Sequence, residues 1–544
     1  MNINAILKVK KPDNEPVKNY LPGSQEKLEL KAQVKKMLGE EIEIPLYIGG
    51  KEVTTGKLAD CVCPHDHGHR LGRYHVGGSE QVQQAAEAAA KARPEWTAMS
   101  WEARLSIFLK AADLLATKHR PVLNAATMLG QSKTAHQAEI DSACELIDFL
   151  RFNAYYASRV YSEQPDSQFG MWNYIDHRPL EGFVFAVTPF NFSAIAGNLP
   201  TSPALMGCTV VWKPASSAVF SASYFMKILQ EAGLPPGVIN MVPGPGGAIG
   251  DPAIKHPDLA GVHFTGSTEV FQRMWSTIGA NIKSYRCYPR IVGETGGKDF
   301  IFAHVSADPD ALIAAIVRGA YEYQGQKCSA ASRMYLPESL YRKIRERLIE
   351  EVRGVKMGDP MDFRNFMAAV IDRNAFNDIK SYIDFAKGSA DGDILVGGEC
   401  DDSKGYFITP TLVQAKKPDF KLMEEEIFGP VMTFYVYPDN EFERTLEICN
   451  RTSPYALTGG IFANDRKAIV TACQALRDAA GNFYINDKPT GAVVNQQPFG
   501  GGRASGTNDK AGSILNLVRW VTPRTVKENF IPPTDYRYPF MAEE

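Results

Sequence analysis

Gly182-Phe183-Val184-Phe185-Ala186-Val187, followed at once by Thr188-Pro189-Phe190-Asn191-Phe192, decides the fold. The first six residues form an unbroken apolar run of strand length, and Pro189 ends it. An apolar run without alternation is the pattern of a strand covered on both faces, as in a parallel sheet. The residues that follow then stand at the carboxyl end of a strand, where open α/β sheets place their ligands. There Asn191 offers a side-chain amide that can donate to a developing oxyanion. As a plain turn asparagine it would only shape the loop.

Working outward, Cys208-Thr209-Val210-Val211-Trp212, Val238-Ile239-Asn240-Met241-Val242 and Gly261-Val262-His263-Phe264 read as strands of the same kind. A helical stretch over residues 218–232 lies between two of them and is ended by Gly233 and Pro235-Pro236. This alternation predicts an α/β chain with a Rossmann-type parallel sheet. A second alternating region follows Gly297: Asp299-Phe300-Ile301-Phe302-Ala303 leads into a helix opened by Ser306, Asp308 and Pro309 and running towards Gly325. Residues 80–164 read as helical, and residues 1–35, polar and rich in lysine, proline and glutamate, as an arm outside the core.

The chain has 544 residues, more than one core usually supports, so two or three domains are expected. A formal net charge of −3, spread along the chain, excludes the basic footprint of a nucleic-acid binder. Nine irregularly spaced cysteines point to a reducing compartment. No apolar run reaches the roughly 18 residues of a membrane span. The first residues lack both the apolar stretch of a secretory signal and the arginines of a transit peptide. The expectation is a cytoplasmic protein without membrane or nucleic-acid partners.

Chemistry concentrates in short glycine-punctuated motifs. Gln324-Gly325-Gln326-Lys327-Cys328-Ser329 places a cysteine in a turn after a helix, with Lys327 beside it. Most lone cysteines are small buried hydrophobes, but a reachable sulfur next to a cation favours a reactive thiolate. Glu294-Thr295-Gly296-Gly297-Lys298 sets a carboxylate against paired glycines at a strand end, as a surface acid or as a general base. Phe264-Thr265-Gly266-Ser267-Thr268-Glu269 follows a strand and opens a helix, where Ser267 and free N–H groups can meet a phosphate. Trp212-Lys213-Pro214-Ala215-Ser216 ends another strand, with Lys213 able to reach a ribose or phosphate. Glu426-Ile427-Phe428-Gly429-Pro430 puts a carboxylate and a ring beside a rigid turn.

Two patterns are set aside. Gly244-Pro245-Gly246-Gly247-Ala248-Ile249-Gly250 has Ile249 where a dinucleotide fingerprint needs its third glycine, and reads as a strand-to-helix turn. Cys61, Cys63, His65, His67 and His69 alternate along a strand-like stretch, which is not metal-finger spacing, so no metal is expected.

Taken together, the Asn191, Ser267, Glu294, Cys328 and Glu426 motifs, in this order, resemble the aldehyde dehydrogenase superfamily. Within it the chain is most similar to the Δ1-pyrroline-5-carboxylate (glutamate γ-semialdehyde) dehydrogenase branch. Glu145-Leu146-Ile147-Asp148-Phe149-Leu150-Arg151-Phe152-Asn153, Asn482-Phe483-Tyr484-Ile485-Asn486-Asp487-Lys488 and Gln497-Pro498-Phe499-Gly500-Gly501 carry that likeness.

The resemblance implies Cys328 as nucleophile, Glu294 as hydrolytic base and Asn191 as oxyanion donor. It implies dinucleotide contacts from Thr188, Lys213, Gly266, Ser267, Thr268, Glu269, Val270, Glu426 and Phe428. It implies a substrate pocket from Glu145, Phe192, Ser329, Gly491, Ala492 and Phe499, with the carboxylate end held by amides of a 490–494 stretch that has no arginine or lysine. The implied reaction is NAD-dependent oxidation of L-glutamate γ-semialdehyde to L-glutamate through a thioester, the second step of proline catabolism. The alternative is another carboxylated aldehyde such as succinate semialdehyde. Ser216 stands where many NAD-preferring relatives carry glutamate, so NADP is expected to be accepted as well, and Phe271 replaces a common glycine. The implied fold has a dinucleotide-binding domain (36–164 and 188–293), a catalytic domain (294–492) and a β-hairpin with C-terminal oligomerisation element (165–187 and 511–544) that builds a homodimer or higher homo-oligomer.

Overall fold

In the computed structural model, which describes residues 6–543, two seven-stranded sheets organise the chain. In the first, the parallel strands Arg290–Glu294, Leu259–Thr265, Phe183–Val187, Thr209–Lys213 and Ile239–Met241 lie side by side in that order. The hairpin Leu46–Ile48 and Lys51–Val53 extends the sheet antiparallel beyond Ile239–Met241. Strand order reverses at Phe183–Val187, whose loop and that of Leu259–Thr265 therefore flank a crevice of the kind that takes ligands. All seven residues of Leu259–Thr265 are buried, as are Phe183 to Ala186. That is why these segments lack alternation. Gly182 starts the central strand at φ 132°, where an added Cβ would lie 2.1 Å from the Asp258 carbonyl oxygen.

The second sheet runs Gly392–Val396, Thr411–Ala415, Val431–Tyr437, Ala331–Pro337, Asp299–Ala303, Thr458–Phe462 and Asn482–Ile485, parallel except for its first edge strand. The helix after Asp299–Ala303 spans Pro309–Tyr321, with the Asp308 carboxylate accepting from the Asp310 and Ala311 amides. It stops four residues short of Gly325, because Tyr323, Gln324 and Gly325 turn left-handed.

The helical region resolves into Ser79–Ala98, Trp101–Ala116, Arg120–Gln131 and Leu146–Ser162, broken before the last by a π-helical turn, Glu139–Glu145. Such turns are costly and collect at functional sites; this one carries Asp141 and Glu145.

Three boundary expectations need correction. Residues 1–35 are not simply an arm: Tyr20, Leu30 and Val34 are buried in the core, and the Gln25–Leu38 helix packs on Arg120–Gln131. Polar composition hid this because the helix buries only a narrow stripe. Phe183–Val187, assigned with the projecting element, is the centre of the first sheet. The stretch up to Trp520, which is fully buried, also belongs to the core. The projecting part is a two-stranded ribbon, Met171–Pro179 paired antiparallel with Val521–Asn529.

Candidate active site

Cys328 reaches the site by a sharp reversal. Tyr323 (φ 52°), Gln324 (φ 56°) and Gly325 (φ 65°) are left-handed in succession, a cost of order 1–3 kcal/mol for each non-glycine residue. The Gln324 side chain offsets it, donating to the Ser132 and Ala369 carbonyls (3.1 and 2.7 Å) and accepting from the Ala368 amide (2.9 Å). Gly325 admits no side chain, since a Cβ would lie 2.2 Å from the Gly429 carbonyl oxygen. Asn191 joins this turn through its amide, which donates to the Gln326 carbonyl at 3.1 Å. The Glu294-Thr295-Gly296-Gly297 loop lies flush on the other side. A Cβ on Gly297 would stand 2.3 Å from the Cys328 carbonyl oxygen and 2.4 Å from Asp299 Oδ2.

The electrostatics correct one expectation. Lys327 does not activate the thiol: it turns away, and its Nζ donates to Glu322 Oε2 at 2.9 Å. Burial, with Asp299, Glu294, Glu426 and Glu145 nearby, pushes the Cys328 thiol well above its ordinary range. Adjacency in sequence misled because neighbouring side chains in a turn diverge. Glu294 is also raised well above an ordinary carboxyl by burial, and Asp509 adds to this, while the Gly501 N–H and Lys510 oppose it. Its Oε2 is buried without a hydrogen-bond partner among the described residues. Burial in the resting site thus disfavours the charged form of both the thiol and the acid. A base can work there only once it has lost its proton.

Cys328 and Glu294 line one cavity of about 1380 Å³ together with Glu145, Phe192, Ser329, Gly491, Ala492 and Phe499. All six expected substrate residues meet there. The Ser329 and Thr490 hydroxyls share a hydrogen bond of 2.9 Å, and Gly491 sits at φ 91°. The turn is not without a cation: Lys488 reaches back so that its Nζ would stand 3.0 Å from a Cβ on Gly491. Burial, with Asp141, pushes Glu145 up to about 8.

Sequence reasoning missed what holds Asn191 and Phe192. Asp141, fully buried, accepts from the Ser193 and Ala194 amides (3.0 and 2.8 Å) and pairs with Lys133 at 2.7 Å. The Lys133 ammonium lies over the Phe192 and Tyr323 rings at 4.2 and 4.4 Å. The only sequence signal was a lysine and an aspartate eight residues apart, in a stretch that also carries His136, Gln137 and Glu139 and so does not single them out.

The expected cofactor residues gather at the strand ends of the first sheet. The Thr188 N–H donates to the Lys213 carbonyl (3.1 Å) and its hydroxyl accepts from Trp212 Nε1 (3.0 Å). Lys213 is buried, which lowers its ammonium to about 8, and among the described residues its Nζ donates only to the Pro214 carbonyl, at 3.2 Å. Gly266 precedes Ser267, whose hydroxyl caps the Thr268–Ala280 helix by accepting from the Val270 amide at 3.4 Å. Thr268 bonds the Tyr455 hydroxyl at 3.3 Å, and Glu269 sits in the first helical turn. Glu426 accepts from the Gly297 N–H at 2.8 Å and is pushed up to about 7 by burial. Phe428 (φ 56°) meets Phe190 edge-on at 5.8 Å. Phe271 stacks on Phe264 and fills the space over Gly293, where a Cβ would be 2.2 Å from its ring. A helix N-terminus at the end of a sheet strand, a buried ammonium and a carboxylate across the crevice fit a dinucleotide. Among the described residues, no group of three or more His, Cys, Asp or Glu is placed to hold a metal ion, and no helix is long and apolar enough to cross a membrane.

The sequence pattern of the aldehyde dehydrogenase family matches residues 52–526. The chain belongs to that family. It is 53% identical over 542 residues, covering 99% of this chain and 97% of the other, to a Dictyostelium discoideum protein named Delta-1-pyrroline-5-carboxylate dehydrogenase, mitochondrial. A Danio rerio protein of the same name is 47% identical, with 97% and 95% covered. The crystal structure of the Mycobacterium tuberculosis Delta-pyrroline-5-carboxylate dehydrogenase bound with NAD superposes at TM-score 0.96 and 50% identity, covering 99% of this chain and 100% of that one. The α/β architecture expected of the family is thus the one found.

Proposed function

We propose that this family member oxidises L-glutamate γ-semialdehyde, the open form of Δ1-pyrroline-5-carboxylate, to L-glutamate with NAD as acceptor, in proline catabolism. One observation carries the reading: a thiol, an acid and a Gly491-Ala492 turn backed by Lys488 share one cavity. The turn and the lysine suit a substrate with a carboxylate opposite its aldehyde. The relatives named above support the substrate, and the NAD-bound relative the cofactor.

In this mechanism Cys328, once ionised, adds to the aldehyde carbon, and the oxyanion meets the Asn191 amide and the Cys328 backbone N–H. The chemistry that bound NAD supplies is acceptance of a hydride from that carbon. Thr188, Lys213, the Ser267 helix start, Glu426 and Phe428 would hold it. What remains is a thioester on Cys328. Glu294 then takes a proton from water as its oxygen bonds the acyl carbon and the C–S bond breaks, returning the thiolate.

The test is product formation. With purified enzyme and NAD, glutamate γ-semialdehyde is expected to give glutamate with kcat/KM at least tenfold above succinate semialdehyde. A preference for succinate semialdehyde would overturn the substrate assignment.

The Met171–Pro179 and Val521–Asn529 ribbon serves, in this reading, as the arm of a homodimer. Phe169, Trp172, Phe530 and Ile531, all exposed on or beside it, would be covered there. Sedimentation should then give twice the chain mass. All nine cysteines are free, which supports a reducing compartment; we assign the cytoplasm, and imaging of the tagged protein decides between that and the mitochondria named for several relatives.

A further inference from the structure

Glu294 is enclosed by the segment that closes over it after the substrate turn. The Thr295 N–H donates to the Ser505 carbonyl (2.9 Å) and the Thr507 N–H to the Gly293 carbonyl (2.9 Å), while Gly506 bridges to Glu294 itself. The next turn, at Gly500-Gly501, touches the carboxylate: a Cβ on Gly500 would stand 2.9 Å from Glu294 Oε1, and the Gly501 N–H bonds the carboxyl. What fixes that turn is Lys510. Its Nζ donates to the Gly500 carbonyl (2.9 Å), the Gly481 carbonyl (2.8 Å) and Asn482 Oδ1 (3.3 Å). Asn482 Oδ1 in turn accepts from the Gly500 N–H at 3.2 Å, and Asn482 Nδ2 donates to the Pro498 carbonyl at 3.0 Å. Lys510 is half-buried and held at φ 51°, a backbone state that lysine adopts only at a cost.

We propose that Lys510 is a positioning residue for the hydrolytic base, clamping the 481–482 and 500–501 turns together so that the Gly501 amide and the ammonium charge both bear on Glu294. This rests on the reading of Glu294 as the base. Among the described residues no carboxylate pairs with Lys510: its three partners are two carbonyls and an amide oxygen, so its charge is left to act on the acid nearby. The charged and titratable groups that bear on Glu294 are Asp509 and Lys510 from the closing segment and Cys328 from across the cavity. Asp509 is itself engaged by Arg519 at 3.3 Å. Lys510 lowers the proton affinity of Glu294 and Asp509 raises it. Lys510 thus favours the ionised form that deacylation needs while standing outside the cavity lining.

The test compares K510Q, which keeps donors but loses charge, with K510R, which keeps charge. Each is studied by rapid mixing with NAD and glutamate γ-semialdehyde across pH. For K510Q the hydride burst is expected to stay near one per site, while steady-state turnover at pH 7 falls at least tenfold. The acid limb of the steady-state profile should move to higher pH by about one unit, because removing a cation raises a carboxyl's proton affinity. K510R, which also stands in if K510Q fails to fold, should lose less than threefold and keep the limb in place. In an E294Q background K510Q should add less than twofold. Equal losses in burst and steady state with an unmoved limb, or a moved limb in K510R, would overturn the proposal. Wild-type deacylation by E294Q alone would instead overturn the reading of Glu294 on which it rests.

Discussion

The cofactor crevice and the catalytic cavity lie against one another but are built on opposite terms. In the crevice, groups sit at the ends of regular strands and are already satisfied by near neighbours, as Thr188 is by Lys213 and Trp212, and Ser267 by Val270. In and beside the cavity, Cys328, Glu294 and Asp299 are buried with proton affinities raised, and Glu294 Oε2 and Asp299 Oδ2 have no partner among the described residues. A binding surface gains from preformed, relaxed donors. A site that must move protons gains from groups whose charged forms are held back until needed. Substitutions on the two sides should therefore fail differently.

The largest expected effect is in the cavity. Cys328→Ser should fold and bind NAD yet lose turnover by on the order of a thousandfold or more, as removal of a covalent nucleophile does elsewhere. Serine offers no thiolate, and its hydroxyl stays essentially un-ionised at neutral pH. Steady-state NADH formation measures this; turnover within tenfold of wild type would break the contrast by making the cavity another binding surface.

Glu294→Gln should divide the reaction in time. A burst of NADH near one per site should persist, with the following phase slowed about 10²–10⁴-fold, the usual worth of a general base. pH sharpens this. The carboxyl of Glu294 is raised, so in the wild type the base is protonated at low pH and steady-state turnover climbs as pH rises through its elevated range. The Cys328 thiol is raised too, so the burst rate should climb with pH in both proteins. In the variant only the burst should keep that dependence. Loss of the burst would place Glu294 before hydride transfer.

What could be read beforehand follows the same division. Phe183–Val187, Thr209–Lys213 and Leu259–Thr265 were legible because a doubly covered strand needs an unbroken apolar run, and the ligand turns must follow such strands. Cys328 and Glu294 were legible from motifs on short loops. Their electrostatics were not. The Lys133–Asp141 pair and the Lys510 clamp join groups brought together only by folding, and Lys327 beside Cys328 pointed the wrong way. The buried face of the Gln25–Leu38 helix escaped notice because it amounts to Leu30, Val34 and Met37 among charged residues.

A smaller effect is expected where the cavity ends. Ala492→Asp puts a carboxylate beside the turn that would receive the substrate's own. KM for glutamate γ-semialdehyde should rise about tenfold, or ~1.4 kcal/mol, while propanal, which has no carboxylate, should change less than twofold. Lys488 near Gly491 makes the comparison stricter, since it would neutralise part of the new charge. Equal losses on both aldehydes would mean that the turn shapes the whole cavity rather than reading charge.

The smallest effect is expected in the crevice, and it asks whether the relaxed side discriminates at all. Ser216 is exposed, follows the Thr209–Lys213 strand and donates to the Gly244 carbonyl at 3.4 Å. It brings no charge to the 2′ position of a bound adenosine, so NADP should be used, though less well than NAD. Ser216→Glu would face the 2′-phosphate with a like charge. At a solvent-exposed distance of about 4 Å such repulsion is worth ~1 kcal/mol, which widens the NAD over NADP ratio in kcat/KM about fivefold. Because the interaction would be between exposed charges, most of the change should vanish in 1 M salt, where screening acts within about 3 Å. The burst with NAD should be untouched, since nothing in the cavity has moved. A ratio that stays fixed would put recognition of the 2′ position elsewhere, with buried Lys213 the first candidate. Its ammonium, lowered to about 8, would then make NADP use fall as pH rises past that value. A ratio that widens but ignores salt would mean that the glutamate acts by displacing the Ser216–Gly244 contact, and the crevice would prove as finely fitted as the cavity.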